Sequence, residues 1–294
     1  MPDVAHRYVS DEEDSGRWEG FPFRDGDVVV STRSKSGTTW MQMICALLVF
    51  GTPELPERLG RLSPWFDHLV EPRDEMLARL QAQQHRRVIK THTPLDGIPL
   101  DPRARYIVVG RHPLDMAVSL YHQGDNIDRE RLRELTGAPE PAAPRSPSES
   151  AHEWLLRWIA SHDDPREAMD SLPGVMWHLS DAWARRAEPN ILMIHYADLS
   201  ADLGAEMRRI ATWLGIVVDE ACWPSLVNAA RFDQMRANAA RLAPGTGILK
   251  DQAAFFRRGK SGAGSELLNS RELADYHDHA AELAPPPLLA WLHR

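Results

Sequence analysis

Cysteine is nearly absent from this 294-residue chain: only Cys45 and Cys222 occur, each within an apolar, helix-like stretch. Neither belongs to a C-x-x-C or other metal-ligand spacing, so no disulfide framework and no structural metal are expected. Buried packing is the reading for both. Long apolar runs are missing too. The longest, around Met41 to Phe50, falls well short of the ~20 residues a bilayer requires. Met1 to Asp14 is polar and acid-rich, without the basic start and apolar core of a secretory leader. A cytoplasmic enzyme is the expectation. A basic surplus is also lacking. The formal net charge of −8 argues against a general nucleic-acid binder. It still permits a nucleotide pocket, where a few local Arg and Lys side chains suffice. No internal repeat is visible.

What is present is an alternation of apolar runs with helix-like segments, which predicts an α/β fold. The expected architecture is a central parallel sheet flanked by helices on both faces, as one domain over residues 1–294. Candidate strands are Asp27 to Ser31, Arg87 to Thr91, Arg105 to Val109 and Ile191 to Tyr196; all but the last should end before a turn and a new helix. Candidate helices are Thr38 to Phe50, Leu114 to Gln123, Glu153 to Ala160, Val175 to Arg186, Leu203 to Leu214 and Glu220 to Ala229. Asp125 to Ser150 and Ala243 to Gln252 read as surface loops, long enough to be lids over a site or plain connections.

The most informative stretch is Ser31-Thr32-Arg33-Ser34-Lys35-Ser36-Gly37-Thr38-Thr39-Trp40, fed by Val28-Val29-Val30 and followed by an apolar helix. A turn of small residues at a helix start aims backbone N–H groups at one point, where the helix dipole also favours an anion. Gly37 allows close backbone approach, the two Thr add hydroxyl donors, and Lys35 adds a movable charge. This is not the ATPase loop: the Lys precedes the Gly, and the earlier Gly of that motif is missing. A second strand, Tyr106 to Val109, ends in Gly110-Arg111-His112-Pro113, with Ser119 on the helix beyond. Arg111 and Ser119 could converge on a phosphate. A third strand ends in Lys90-Thr91-His92 and is stopped by Pro94. Weighed alone, a strand-end Arg is a surface charge and a strand-end His is structural.

Lys35-Ser36-Gly37-Thr38-Thr39-Trp40 resembles the 5′-phosphosulfate loop Y-P-K-S-G-T-T-W of sulfotransferases that use 3′-phosphoadenosine 5′-phosphosulfate (PAPS), with Arg33-Ser34 in place of Tyr-Pro. Tyr106 to Ser119 resembles that family's 3′-phosphate motif, Y-I-x-R-x-P-x-D-x-x-V-S, and implies that Arg111 and Ser119 hold the 3′-phosphate. Phe255-Phe256-Arg257-Arg258-Gly259-Lys260-Ser261-Gly262 is similar to the C-terminal R-K-G-x-x-G loop, which implies that Arg257, Arg258 and Gly259 cover the same phosphate. The family continues Gly-Asp-Trp, whereas this chain has Gly262-Ala263-Gly264-Ser265. Phe232, in a segment like S-F-x-x-M, and Trp40 are implied to stack on the two faces of adenine, and Tyr196 to reach it.

The resemblance covers about Asp27 to Gly262 and implies the P-loop-nucleotide-hydrolase-like sulfotransferase fold. It also implies His92 as general base, Lys35 assisting the leaving phosphate, Lys90 steadying the sulfuryl group, adenosine 3′,5′-bisphosphate (PAP) as product, and no metal. Gln83 to Arg87 leading into Lys90 to Gly97, Phe255 to Gly259 and Leu283-Ala284-Pro285-Pro286 look similar to actinobacterial members described as glycolipid sulfotransferases. The implied acceptor is a small, lipophilic hydroxyl compound: a phenol, an alcohol or a glycolipid. Ser63-Pro64-Trp65-Phe66 and Tyr121-His122 are candidates to line its pocket or simply to pack. The family dimer motif K-x-x-x-T-V-x-x-x-E is absent, so no oligomeric state is carried over. Two rivals remain open at this stage: a magnesium-dependent kinase, and a binding protein that has lost its activity.

Overall fold

The computed structural model describes residues 6–139, 149–259 and 261–294. Four strands form its sheet: β1 (Val28–Ser31), β2 (Val88–Thr91), β3 (Arg105–Gly110) and β4 (Ile191–His195). Their order is β2-β1-β3-β4 and every pairing is parallel. All four stand within a residue or two of the predicted runs. Their apolar residues are continuous rather than alternating because both faces are covered. Val29, Ile89, Tyr106 and Val108 enter one core, and Val28, Val30, Val88, Ile107 and Val109 enter the other. Asp27 and Arg87, buried at the starts of β1 and β2, form a two-pronged ion pair that ties these strands together.

The register sets Ser31 beside both Thr91 and Val108, so the three strands release their following residues at one sheet edge. From there β1 passes through a turn into α1 (Thr38–Phe50), and β3 passes into α2 (Pro113–Asn126). These two helices pack in opposite cores. A crevice must therefore open between them beyond β1 and β3, where ligands bind in open parallel sheets.

Helix prediction succeeded where apolar periodicity was strong. α1 and α4 (Leu203–Leu214) have the expected bounds, and α3 (Leu172–Ala184) starts earlier than expected, capped by Ser171. The other expected helices appear as Ala151–Ile159 and Trp223–Ala229. Helices that were not expected include Arg73–Ala82, α5 (Ser270–Leu283) and Pro286–Leu292. The expected loop at Asp125 to Ser150 is corrected in part. It contains the tail of α2 and a helix, Arg129–Thr136, whose first turn is capped by the Asp128 carboxylate. Residues 140–148 of that loop, residues 1–5 and Lys260 lie outside the described residues. β4 also differs from expectation, running straight into a helix, Tyr196–Ala201. The Ala243 to Gln252 segment is irregular, as expected, and is pinned to the end of α2 by an Ile127–Leu249 bridge. Cys45 is fully buried, while Cys222 is only half-buried, a correction to the expectation for the latter. Among the described residues, no helix is long and apolar enough to cross a membrane.

Candidate active site

The turn after β1 is backbone-strained at its centre. Lys35 has φ 63° and is the only non-glycine with positive φ among the described residues. A side chain held there is costly unless its surroundings over-determine it. Gly37 has φ 107°, and a Cβ at this position would stand 3.0 Å from the Tyr196 ring. Both reasons favour glycine. The Thr32 and Thr38 hydroxyls hydrogen-bond across the turn. Ser36 is 3% exposed, and its backbone N–H donates to the Arg33 carbonyl at 3.2 Å, which tightens the turn.

Lys35, Gly37, Thr38, Thr39, Trp40, Lys90, His92, Arg111, Ser119, Tyr196, Phe232, Arg257, Arg258 and Gly259 are brought together in the wall of one cavity of about 720 Å³. Arg111 donates to the Lys35 carbonyl at 3.0 Å and lies over the Tyr196 ring at 4.5 Å. Trp40 meets the same ring edge-on at 5.1 Å and donates its indole N–H to the Ala230 carbonyl at 2.8 Å. Gly259, φ 63°, packs so closely on Phe232 that a Cβ would lie 2.4 Å from its ring. Beyond it, the chain is anchored by Asp115, whose carboxylate accepts from the Gly262 and Gly264 amides at 2.8 and 3.0 Å. The departure at Ala263-Gly264 therefore keeps a closed loop. A Cβ on Gly264 would meet Leu114 at 2.4 Å, which explains the small residue there.

Positive charge gathers in this cavity. Lys35 is pushed down to about 7 by burial first, then by Arg111, Lys90 and Arg257. Lys90 falls to about 8, mainly through burial, against the pull of Glu13 and Asp67. The buried Nε atoms of Arg111 and Arg257 have no hydrogen-bond partner among the described residues. Buried donors normally find partners, so orphaned donors beside depressed lysines are what an anion site is expected to look like without its anion.

His92 stands just past β2. Its Nδ1 bonds the Thr32 carbonyl, which can only accept, so Nδ1 carries the proton and Nε2 the lone pair. Burial, with help from Lys90 and Arg33, holds the imidazole well below its usual pKa and keeps it neutral. The Trp65 ring packs edge-on against it at 4.6 Å and lies under the Lys90 ammonium at 4.0 Å.

Sequence reasoning missed two residues here. Asp115 stood inside a motif already quoted but showed no role until its partners came into view. Arg33 looked like a mere departure at a Tyr position. It is 3% exposed, donates to the His92 carbonyl, and pairs with Asp170 at 2.9 Å and Glu13 at 3.5 Å. Of the candidate acceptor residues, Ser63, Pro64 and Trp65 line the cavity. Phe66 is instead fully buried core, and Tyr121 packs on Trp154 with His122 against its edge.

Residues 25–282 match the family model described as the sulfotransferase domain. A glycolipid sulfotransferase of Mycobacterium bovis is 40% identical, covering 97% of this chain and 93% of its own length. One of Mycobacterium tuberculosis is 41% identical over the same shares. Among solved structures, retinol dehydratase in complex with androsterone and the inactive cofactor PAP aligns with a TM-score of 0.69 at 20% identity, over 92% of this chain and 84% of that one. A mouse sulfotransferase complexed with PAP aligns with a TM-score of 0.69 at 20% identity, over 94% and 93%. The α/β sheet with its cradle after β1 is thus the sulfotransferase fold, and the chain belongs to the sulfotransferase family.

Proposed function

We propose that the chain moves a sulfuryl group from PAPS to a hydroxyl of a glycolipid-type acceptor, with His92 as general base. The observation that carries this is the meeting, in one cavity, of a neutral buried imidazole with Lys35, Lys90, Arg111 and Arg257, two of whose guanidinium nitrogens are orphaned. Arg111, Ser119, Arg257 and Arg258 suit a 3′-phosphate, and the turn from Lys35 to Thr39 suits a 5′-phosphosulfate. Trp40, Tyr196 and Phe232 offer ring faces and edges to a base.

The acceptor hydroxyl loses its proton to His92 Nε2 as its oxygen attacks sulfur, and the bond from sulfur to the bridging phosphate oxygen breaks. Negative charge gathers on the sulfuryl and phosphate oxygens, where Lys90 and Lys35 stabilise it as preorganised cations. The acceptor class rests on the relatives named above and on the apolar wall of Leu59, Met76, Ile127, Leu242 and Ile248. Two measurements test the reading. PAP should bind tightly without metal while ATP with magnesium binds weakly; the reverse outcome would install a kinase in its place. His92→Ala should lower turnover by ~10²–10⁴, the usual reach of a general base, with PAP affinity kept. Near-normal turnover in that variant refutes the base assignment.

A further inference from the structure

Beside the reaction cavity lies a second one, of about 840 Å³, and the two share Glu12, Ser34, Trp65, Leu120, Trp154 and Asp170 as a common wall. Their charges are opposed. Lysines and arginines dominate the first, whereas six carboxylate side chains and two arginines line the second among the described residues. Both arginines are already engaged, Arg33 with Asp170 and Glu13, and Arg157 with Glu149 at 2.7 Å. Asp11, Glu12, Asp163 and Glu167 form no salt bridge among the described residues, although Arg157 attracts Asp163 and Arg129 and Lys90 of the first cavity attract Glu12.

The wall also holds unmet hydrogen-bonding capacity of both kinds. Glu13 is 4% exposed, yet its Oε2 has no partner among the described residues, and the buried Trp65 Nε1 has none either. An acceptor atom and a donor atom left over in one wall call for a ligand that both gives and receives hydrogen bonds. Hydroxyl groups do both. Burial raises the carboxyls of Glu12 and Glu13, the latter to about 8, and both fit hydrogen-bonding to a neutral guest better than pairing with an anion.

We propose that this acidic cavity receives the neutral polyhydroxyl headgroup of the acceptor and rejects headgroups that already carry an anion. The inference rests on the sulfuryl-transfer reading and deepens it. A sugar headgroup held here presents a hydroxyl across the shared wall to His92. Once transfer is complete, the product carries a sulfate beside Asp11, Asp163 and Glu167, and like-charge repulsion drives it out. The site thereby favours one sulfation per acceptor.

The matched probes are octyl glucoside and octyl glucuronide, which differ by one carboxylate. Each is titrated into the PAP-loaded protein below its critical micelle concentration. The glucoside should bind at least tenfold more tightly. In the double variant Asp11→Asn, Glu12→Gln that preference should shrink severalfold while PAP affinity, the control for folding, is retained. Equal affinities in the wild type, a preference for the glucuronide, no binding of either probe, or an unchanged ratio in the variant each overturns the proposal. Failure of PAP itself to bind removes the sulfuryl-transfer reading, and this inference falls with it; PAP binding with no headgroup preference removes this inference alone.

Discussion

His92 and the two lysines all hold their protons less tightly than is usual for their kind, and each has a measurable consequence. A base held well below its ordinary pKa keeps its lone pair in mildly acidic solution, so activity should persist below pH 6 until other groups fail. Lys90, Arg33 and His178 all press the imidazole towards neutrality. Arg33→Met removes one of those charges. The His92 pKa should rise, and the acid limb of the kcat/KM profile should move to higher pH; an unmoved limb shows that Arg33 does not act on the base. The lysines predict proton traffic. With Lys35 at about 7 and Lys90 at about 8, the free protein at pH 8 has partly given up these charges. An arriving anion restores them, so PAP binding should take up protons at pH 8 and almost none at pH 6. Calorimetry in two buffers of different ionisation enthalpy reads this directly. Absence of uptake at pH 8 contradicts the depressed lysines.

Between elements, a few buried ionic anchors carry much of the geometry. Asp115, at the start of α2, fixes a loop whose amides lie 147 and 149 residues further on. Hydrogen bonds to a charged group contribute about 1.5–3 kcal/mol each. Asp115→Ala should therefore weaken PAP by tenfold or more through loss of the Arg257–Gly259 cover, with His92 left in place. The Asp27–Arg87 pair joins the starts of β1 and β2, and both residues are 1% exposed. Truncating one partner strands the other, so Asp27→Ala should cost about 3–5 kcal/mol in denaturant unfolding. The strands were legible because both-sided burial writes contiguous Val and Ile into the chain. The cradle after β1 was legible because its parts are consecutive. α5 announced itself only through the Asn269–Glu272 capping box, a signal its weak apolar stripe hid. The helix Arg129–Thr136 is amphipathic over eight residues with a single buried side chain, Leu132, and so reads as a charged loop.

For the molecule as a whole, a net charge of −8 conceals a division of labour. Cations collect where the strands end, and carboxylates collect next door. No window of sequence shows this, because Glu12, Trp65, Trp154 and Asp170 meet from four distant segments. The cationic cavity could be read in large part from motifs; the acidic one becomes visible only in three dimensions. Ligand linkage gives a global check. PAP at about a hundred times its Kd should add about 2.7 kcal/mol to stability, seen as a rise in Tm, and ATP with magnesium at equal concentration should add much less. Equal shifts would deny the site its preference for a 3′-phosphate.

Arg33 also couples residues that lie far apart in the chain. It occupies the position of a tyrosine in the related pattern, and it pairs with Glu13 and Asp170 while donating to the His92 carbonyl. A tyrosine placed there would have no charge to offer either carboxyl, and Glu13 is buried too deeply to turn to solvent instead. Arg33, Glu13 and Asp170 therefore form one unit, in which a change at any member alters what the other two tolerate.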